Sequence, residues 1–155
     1  MKKVLKIFFT ISFVFYLSAL IILLFLDSSR GYLSSDLSMI EYTRNYSNFV
    51  PFTTISMYIT VIIDRSMNLE IPIKNLFGNF IMFLPMGIYL PYYIKKANKV
   101  SVFTVSMVSL LFFIEIIQLV SRRGSFDIDD FILNMLGALV GFSIWKTNIV
   151  QNLLR

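Results

Sequence analysis

Glu115 and Gln118 stand three residues apart in Val100–Val120, a stretch with no other charge. That spacing puts them on one helix face, about one turn from its end. Asn134 is followed on its own face by Gly137 and Gly141, and Asn79 stands just inside another apolar run, Phe77–Ile94. Between Gln118 and Asn134 runs Arg122-Arg123-Gly124-Ser125-Phe126-Asp127-Ile128-Asp129-Asp130, which carries two guanidinium groups and three carboxylates. Amide and ionisable side chains inside apolar helices are costly and by default mark function, facing a bundle interior. The chain has no cysteine and no histidine, which removes disulfides, thiol nucleophiles, imidazole bases and the usual zinc sites. The carboxylates that remain could move protons, or hold Mg²⁺ or Ca²⁺ through oxygen ligands. No nucleophile motif accompanies them, no cofactor or metal site is implied, and no catalytic residue stands out. The candidate ligand-binding residues are Asn79, Glu115, Gln118, Arg123, Asp127, Asp129, Asp130 and Asn134.

Each also has a structural reading. Gly137 and Gly141, with Asn134, form a small-residue seam for close helix packing. Asp129 or Asp130 can cap the helix that follows them. Glu115 can pair with Arg123, which would keep a desolvated acid ionised. Arg122 reads as a headgroup contact, and Tyr89, Tyr92, Tyr93 and Trp145 as interfacial anchors.

The elements that must position these residues are membrane spans. Of 155 residues 57% are hydrophobic and only 15% charged, against ~25% charged in a soluble domain. Such a chain cannot cover itself with polar surface in water. We read an all-α integral membrane protein, a single domain with spans over about 7–26, 77–94, 100–120 and 131–147. At ~1.5 Å per residue, Ile7–Leu26 crosses a ~30 Å hydrocarbon core. A cleavable signal is the competing reading, but its apolar region would be shorter, and Leu26-Asp27-Ser28-Ser29-Arg30 is a poor cleavage site. Pro85 and Pro91 should kink the second span. The net charge of +5 sits in short clusters beside apolar runs, a pattern for topology and not for nucleic acid.

Lys2, Lys3, Lys6, Lys95, Lys96, Lys99, Lys146 and Arg155 fall on one side with no acid among them. The positive-inside rule puts that side, with both termini, in the cytoplasm. The acids then lie outside or within spans, and Asn79, Glu115, Gln118 and Asn134 reach one depth in the outer leaflet. Asp27–Asn48 reads as a polar external loop. Phe49–Ile63 is too short to span and reads as an outer interfacial or re-entrant helix from Pro51 to about Asp64, with Phe52, Ile55, Ile59 and Ile62 facing apolar surroundings.

Four segments resemble the VanZ-like family of bacterial membrane proteins. They are Asn48-Phe49-Val50-Pro51-Phe52, Gly78-Asn79-Phe80-Ile81-Met82-Phe83-Leu84-Pro85-Met86-Gly87, Glu115-Ile116-Ile117-Gln118, and Phe126-Asp127-Ile128-Asp129-Asp130 leading to Asn134 and Gly137. The resemblance covers about Asn48 to Gly141. It implies a bacterial cytoplasmic membrane protein of the cell envelope, in a family whose named member is linked to low-level resistance to the glycopeptide teicoplanin. In the family pattern an arginine stands closer to the Asp-x-Asp-Asp run, so either Arg122 or Arg123 fills that role here.

Three functions compete. The first is an outer-leaflet binding or remodelling protein whose polar pocket holds a membrane lipid headgroup, a lipid-linked wall precursor or a lipoglycopeptide. The second is an intramembrane hydrolase or transferase using Glu115 and the Asp127, Asp129 and Asp130 carboxylates. The third is a transporter, which four short helices could form only as an oligomer.

Overall fold

The computed structural model describes residues 2–26 and 37–154. Among them, four helical segments are long and apolar enough to cross a membrane: Lys3–Leu26, Glu70–Tyr93, Val100–Val120 and Ile128–Trp145. The protein is all-α and multi-pass. Its apolar surface confirms the solvent: Val105, Phe112, Phe113, Ile116 and Val120 on one face of the third segment are all exposed.

The first span is α1, Lys2–Ile21, which widens into a π-helical turn over Ile22–Leu26. Residues 27–36, including the first part of the loop expected over Asp27–Asn48, lie outside the described residues. The described remainder of that loop, expected to be ordered, carries α2 at Met39–Tyr46. Its start is a capping box: the Ser38 hydroxyl accepts from the Glu41 N–H, and the Glu41 carboxylate accepts from the Ser38 N–H. The Ser38 hydroxyl also donates to the Glu41 carboxylate at 2.7 Å, and this bond, then that from the Ser38 N–H, holds the Glu41 carboxyl below its usual range. The Ser-x-x-Glu spacing was the available signal.

After α3, Thr53–Asp64, the second span begins at Glu70, one and a half turns or more before the expected Phe77. Its polar first turn is helical because Pro72 suits that position and Lys74 pairs with Glu70 at 2.5 Å. The span is two helices, α4 (Glu70–Met82) and α5 (Met86–Tyr93). Pro85 lacks an N–H, so the Ile81 carbonyl accepts from Leu84 instead, at 3.2 Å. The Tyr16 hydroxyl of α1 donates to the Met82 carbonyl at the break, at 2.9 Å, as required where no water can do so. Pro91 stays within α5.

A 3-10 turn, Lys95–Asn98, leads to α6, Val100–Val120. Asp127 caps α7, Ile128–Trp145, accepting from the Asp129 N–H, so this span starts a turn earlier than expected. A short α8, Asn148–Leu154, follows. Ser12 and Tyr16 of α1 meet Tyr89 and Met82 in reverse order, and Phe103 of α6 stacks on Phe142 of α7 at 4.3 Å. The spans therefore alternate in direction. One end of the bundle gathers the described lysines other than Lys74, and the other gathers α2, α3 and the carboxylates.

The lipid-free core runs along α6 and α7. Phe103, Met107, Leu111 and Ile114 form a buried stripe at helical spacing, and Glu115 and Gln118 continue it. Trp145 (1% exposed) and Tyr89 are buried against neighbouring helices. Trp145 Nε1 donates to Asn98 Oδ1 at 2.8 Å. Tyr93 remains exposed.

Candidate functional site

The carboxylate-bearing end is built where the first and last family-like segments grip each other. Asn48 and Asp127 form a short parallel bridge: the Asn48 N–H donates to the Phe126 carbonyl and the Ile128 N–H to the Asn48 carbonyl. Phe49 stacks on Phe126 with ring centres 5.2 Å apart. Asn48 Nδ2 donates to Asp127 Oδ1 at 3.0 Å, and the Thr54 hydroxyl to Asp127 Oδ2 at 2.7 Å.

Asp129, fully buried, is the remote cap of α3. Its Oδ1 accepts from the Phe52 N–H at 2.5 Å, and its Oδ2 from the Thr54 and Ile55 N–H groups at 2.7 and 3.1 Å. The first N–H groups of a helix have no partner within it, and the positive end of the helix favours a carboxylate. Phe52, the residue entering α3, adopts a left-handed conformation (φ 68°) and has no side-chain cap of its own. The Asp129 carboxylate holds that turn in place.

From there α3 returns through a short loop to α4, so both touch the first turn of α7: α3 through Thr54, and α4 through Asn79, whose Nδ2 donates to Asp130 Oδ1 at 2.6 Å. With 12 residues α3 reaches roughly 18 Å and does not cross the bundle. Its packed face is Val61 with Thr54, Ile55, Tyr58 and Ile62. Of the expected stripe, Ile55 and Ile62 lie on that face, whereas Phe52 and Ile59 are exposed. The packed face follows the contacts with α4 and α7 instead, and apolar residues occupy both sides. Burial, then the negative charges of Asp130 and Asp127, push the Tyr58 hydroxyl above its usual range.

The four span residues are all in the interior: Asn79, Glu115 and Gln118 are each 4% exposed and Asn134 is 5%. Asn79 and Gln118 reach different elements, Asn79 donating to Asp130 of α7 and Gln118 to α1. Gln118 Nε2 turns to the Leu24 carbonyl at 3.0 Å, tying α6 to the π turn of α1. Asn134 Oδ1 is buried without a hydrogen-bond partner among the described residues, as are Asn75 Oδ1 and Ser47 Oγ at the same end. Asn75 lies one turn before Asn79 on α4, and sequence reasoning missed it, along with Asn48, Thr54 and Tyr58. Among the described residues, no three carboxylates come together as a metal-binding group.

The two arginines part company. α6 ends in a Schellman motif: the Arg122 N–H donates to the Leu119 carbonyl and the Arg123 N–H to the Gln118 carbonyl, with Arg122 left-handed at φ 53° where glycine is usual. Arg122 Nη2 donates to the Leu37 carbonyl at 2.7 Å, and the guanidinium lies 5.6 Å from the Tyr42 ring centre. It therefore fastens the start of α2 to this loop. Tyr42, fully buried, donates to the Gly124 carbonyl at 2.8 Å. Arg123 is half-buried.

Below the polar end, α7 lies against the broken span with no room between backbones. A Cβ on Gly137 would overlap the Phe80 carbonyl oxygen, one on Gly141 that of Leu84, and one on Gly87 the backbone of Ala138 to Phe142. Gly78 differs: no atom lies within 4 Å of where its Cβ would be.

The searches of curated proteins and of solved structures returned no match. The family model VanZ/LLP1 matches residues 13–151, which takes in the latter part of the first span, the other three spans and every residue of the polar end described above. The chain belongs to the VanZ/LLP1 family.

Proposed function

We propose that this is a cell-envelope protein of the bacterial cytoplasmic membrane whose buried polar residues bind the head of a membrane amphiphile. The candidate amphiphiles are a lipid headgroup, a lipid-linked wall precursor and a lipoglycopeptide. The observation that carries this reading is Asn134: a buried amide oxygen without a hydrogen-bond partner among the described residues. Leaving such an acceptor unmet costs about 1–3 kcal/mol, a cost that a bound ligand would relieve. Asn79, Glu115 and Gln118, equally buried, stand on the facing helices. The distribution of lysines supports a topology with both termini in the cytoplasm and the carboxylate end outside. A contribution to teicoplanin-type resistance would follow from sequestering or remodelling such an amphiphile.

The hydrolase or transferase reading is weaker. Both oxygens of Asp127 and of Asp129 already accept hydrogen bonds, so an acid–base pair would rest on Glu115 and Asp130 alone.

Purified full-length protein in lipid nanodiscs, titrated with a polyprenyl-linked wall precursor, teicoplanin and phosphatidylethanolamine, tests the proposal. We expect saturable binding of one of these, weakened at least tenfold in Asn134→Ala and Glu115→Gln at unchanged thermal stability. Equal weak binding of all three by wild type and variants overturns it. Release of a cleaved product would move the site to the enzyme reading.

A further inference from the structure

The end of the bundle away from the carboxylates holds a cavity of about 770 Å³, lined by Lys6, Tyr92, Tyr93, Lys95, Asn98 and Trp145 together with Pro91 and Leu154. Ligand sites typically run ~300–1,000 Å³. All of the described acidic side chains lie at or toward the other end, and among the described residues neither Lys6 nor Lys95 forms an ion pair. Lys146 is nearby but engaged: its Nζ donates to the Asn98 carbonyl at 2.6 Å and lies 5.2 Å from the Phe142 ring centre.

The rim is fixed in place. Asn98 accepts from Trp145 Nε1 at 2.8 Å and donates from Nδ2 to the Pro91 and Lys95 carbonyls, both at 3.1 Å. The backbone carrying Lys95 is therefore held, while its ammonium group stays available. Tyr93 donates to the Thr10 hydroxyl at 3.2 Å, closing the α1 side. A second, more open groove of about 300 Å³ shares Lys6 and runs along α1 past Ile7 to Ile11. A two-lysine cavity joined to an apolar track has the outline of an amphiphile: an anion at the span ends, and a chain along the helix.

We propose that this cavity is a binding site for an anionic phospholipid, its phosphate between Lys6 and Lys95 and one acyl chain in the groove beside Ile7 and Ile11. The site is separate from the one proposed above and does not depend on it. Two ammonium groups with no acid beside them among the described residues select for a phosphate with net negative charge, because a zwitterionic head brings its own cation into the same field. Each lysine near a lipid surface contributes about fivefold in affinity for an anionic head, so losing both weakens binding roughly 30-fold.

The test uses delipidated full-length protein in neutral detergent, titrated with phosphatidylglycerol, phosphatidylcholine and glycerol phosphate and read by native mass spectrometry. Phosphatidylglycerol should bind at one preferred site, and the K6Q/K95Q double variant should bind it roughly 30-fold more weakly. K6R/K95R, which keeps both charges, should retain most of the affinity, and K96Q/K99Q should resemble wild type. Glycerol phosphate, which lacks the chains, should not compete at equal concentration. Equal affinity for the two phospholipids overturns the proposal, as does a loss in K96Q/K99Q matching that in K6Q/K95Q. Glycerol phosphate binding as tightly as the lipid would leave a soluble phosphate site and overturn the lipid assignment.

Discussion

The first turn of α7 and the stretch from Gly137 to Gly141 hold the same helix in place by opposite means. At the first turn three carboxylates reach outward and bind named partners: Asp127 to Asn48 and Thr54, Asp129 to the start of α3, and Asp130 to Asn79. Two to three turns on, no polar side chain is involved. The backbones of α7 and of α4–α5 touch because glycine removes what would separate them. A bilayer explains why both devices exist. Lipid is as apolar as a helix face, so burial gives little drive to association, and close packing or hydrogen bonds must supply it. Asn134 lies between the two regions and belongs to neither, which is why its amide is the residue of interest.

The seam should be the less forgiving region. Gly137→Ala or Gly141→Ala forces backbone against backbone, where no side chain can rotate away. We expect a loss of about 3 kcal/mol or more, the upper range for overpacking, seen as a large drop in thermal stability in detergent. Gly78→Ala is the internal control. With open space at its Cβ and α-helical geometry, it should be neutral or gain up to about 1 kcal/mol from helix propensity. If all three substitutions behaved alike, the seam would not be what holds α7.

Within the first turn the comparison narrows to two neighbouring acids. Asp129→Asn is nearly isosteric, yet both oxygens of Asp129 accept backbone N–H groups. The new amide would point N–H at N–H, so we expect about 2–3 kcal/mol lost and faster hydrogen exchange across residues 52–64. Asp127→Asn should cost less, about 1 kcal/mol, because Asp127 is only half-buried and one of its partners is a hydroxyl that can rotate. Equal effects on exchange in α3 would show that Asp129 is not its cap.

The two regions were unequally legible in the sequence. Spans, alternation and the interior placement of Glu115, Gln118 and Asn134 follow from apolar length and helical spacing, which are local properties. The glycine seam was readable as well, because Gly-xxx-Gly carries its mechanism in its spacing. The roles of Asp127 and Asp129 were not, since a carboxylate that caps its own helix looks the same as one capping a helix seventy residues earlier. Nothing near Pro51-Phe52-Thr53 indicates that its cap comes from elsewhere, except that the segment lacks a good one of its own. The partners of Arg122 and Trp145 were hidden for a related reason: Leu37 and Asn98 lie far away in sequence.

The smallest expected effect is the one that separates packing from binding at Asn134. Replacing it with leucine removes a buried amide oxygen that has no partner among the described residues and substitutes a side chain of similar volume. For packing alone the amide is a poor choice, so leucine should stabilise the protein by about 1 kcal/mol through relief of that acceptor. Binding of the amphiphile should then fall while stability rises, the trade-off expected where a functional group is kept at the expense of stability. Thermal unfolding in detergent and lipid titration in nanodiscs, made on the same Asn134→Leu preparation, read the two quantities separately. A stability loss near 2 kcal/mol would instead mean that the amide is satisfied within the protein, for instance by ordered water. Asn134 would then join the fastening residues of the first turn, and the case for a ligand at this end would have to rest on Glu115 and Asn79.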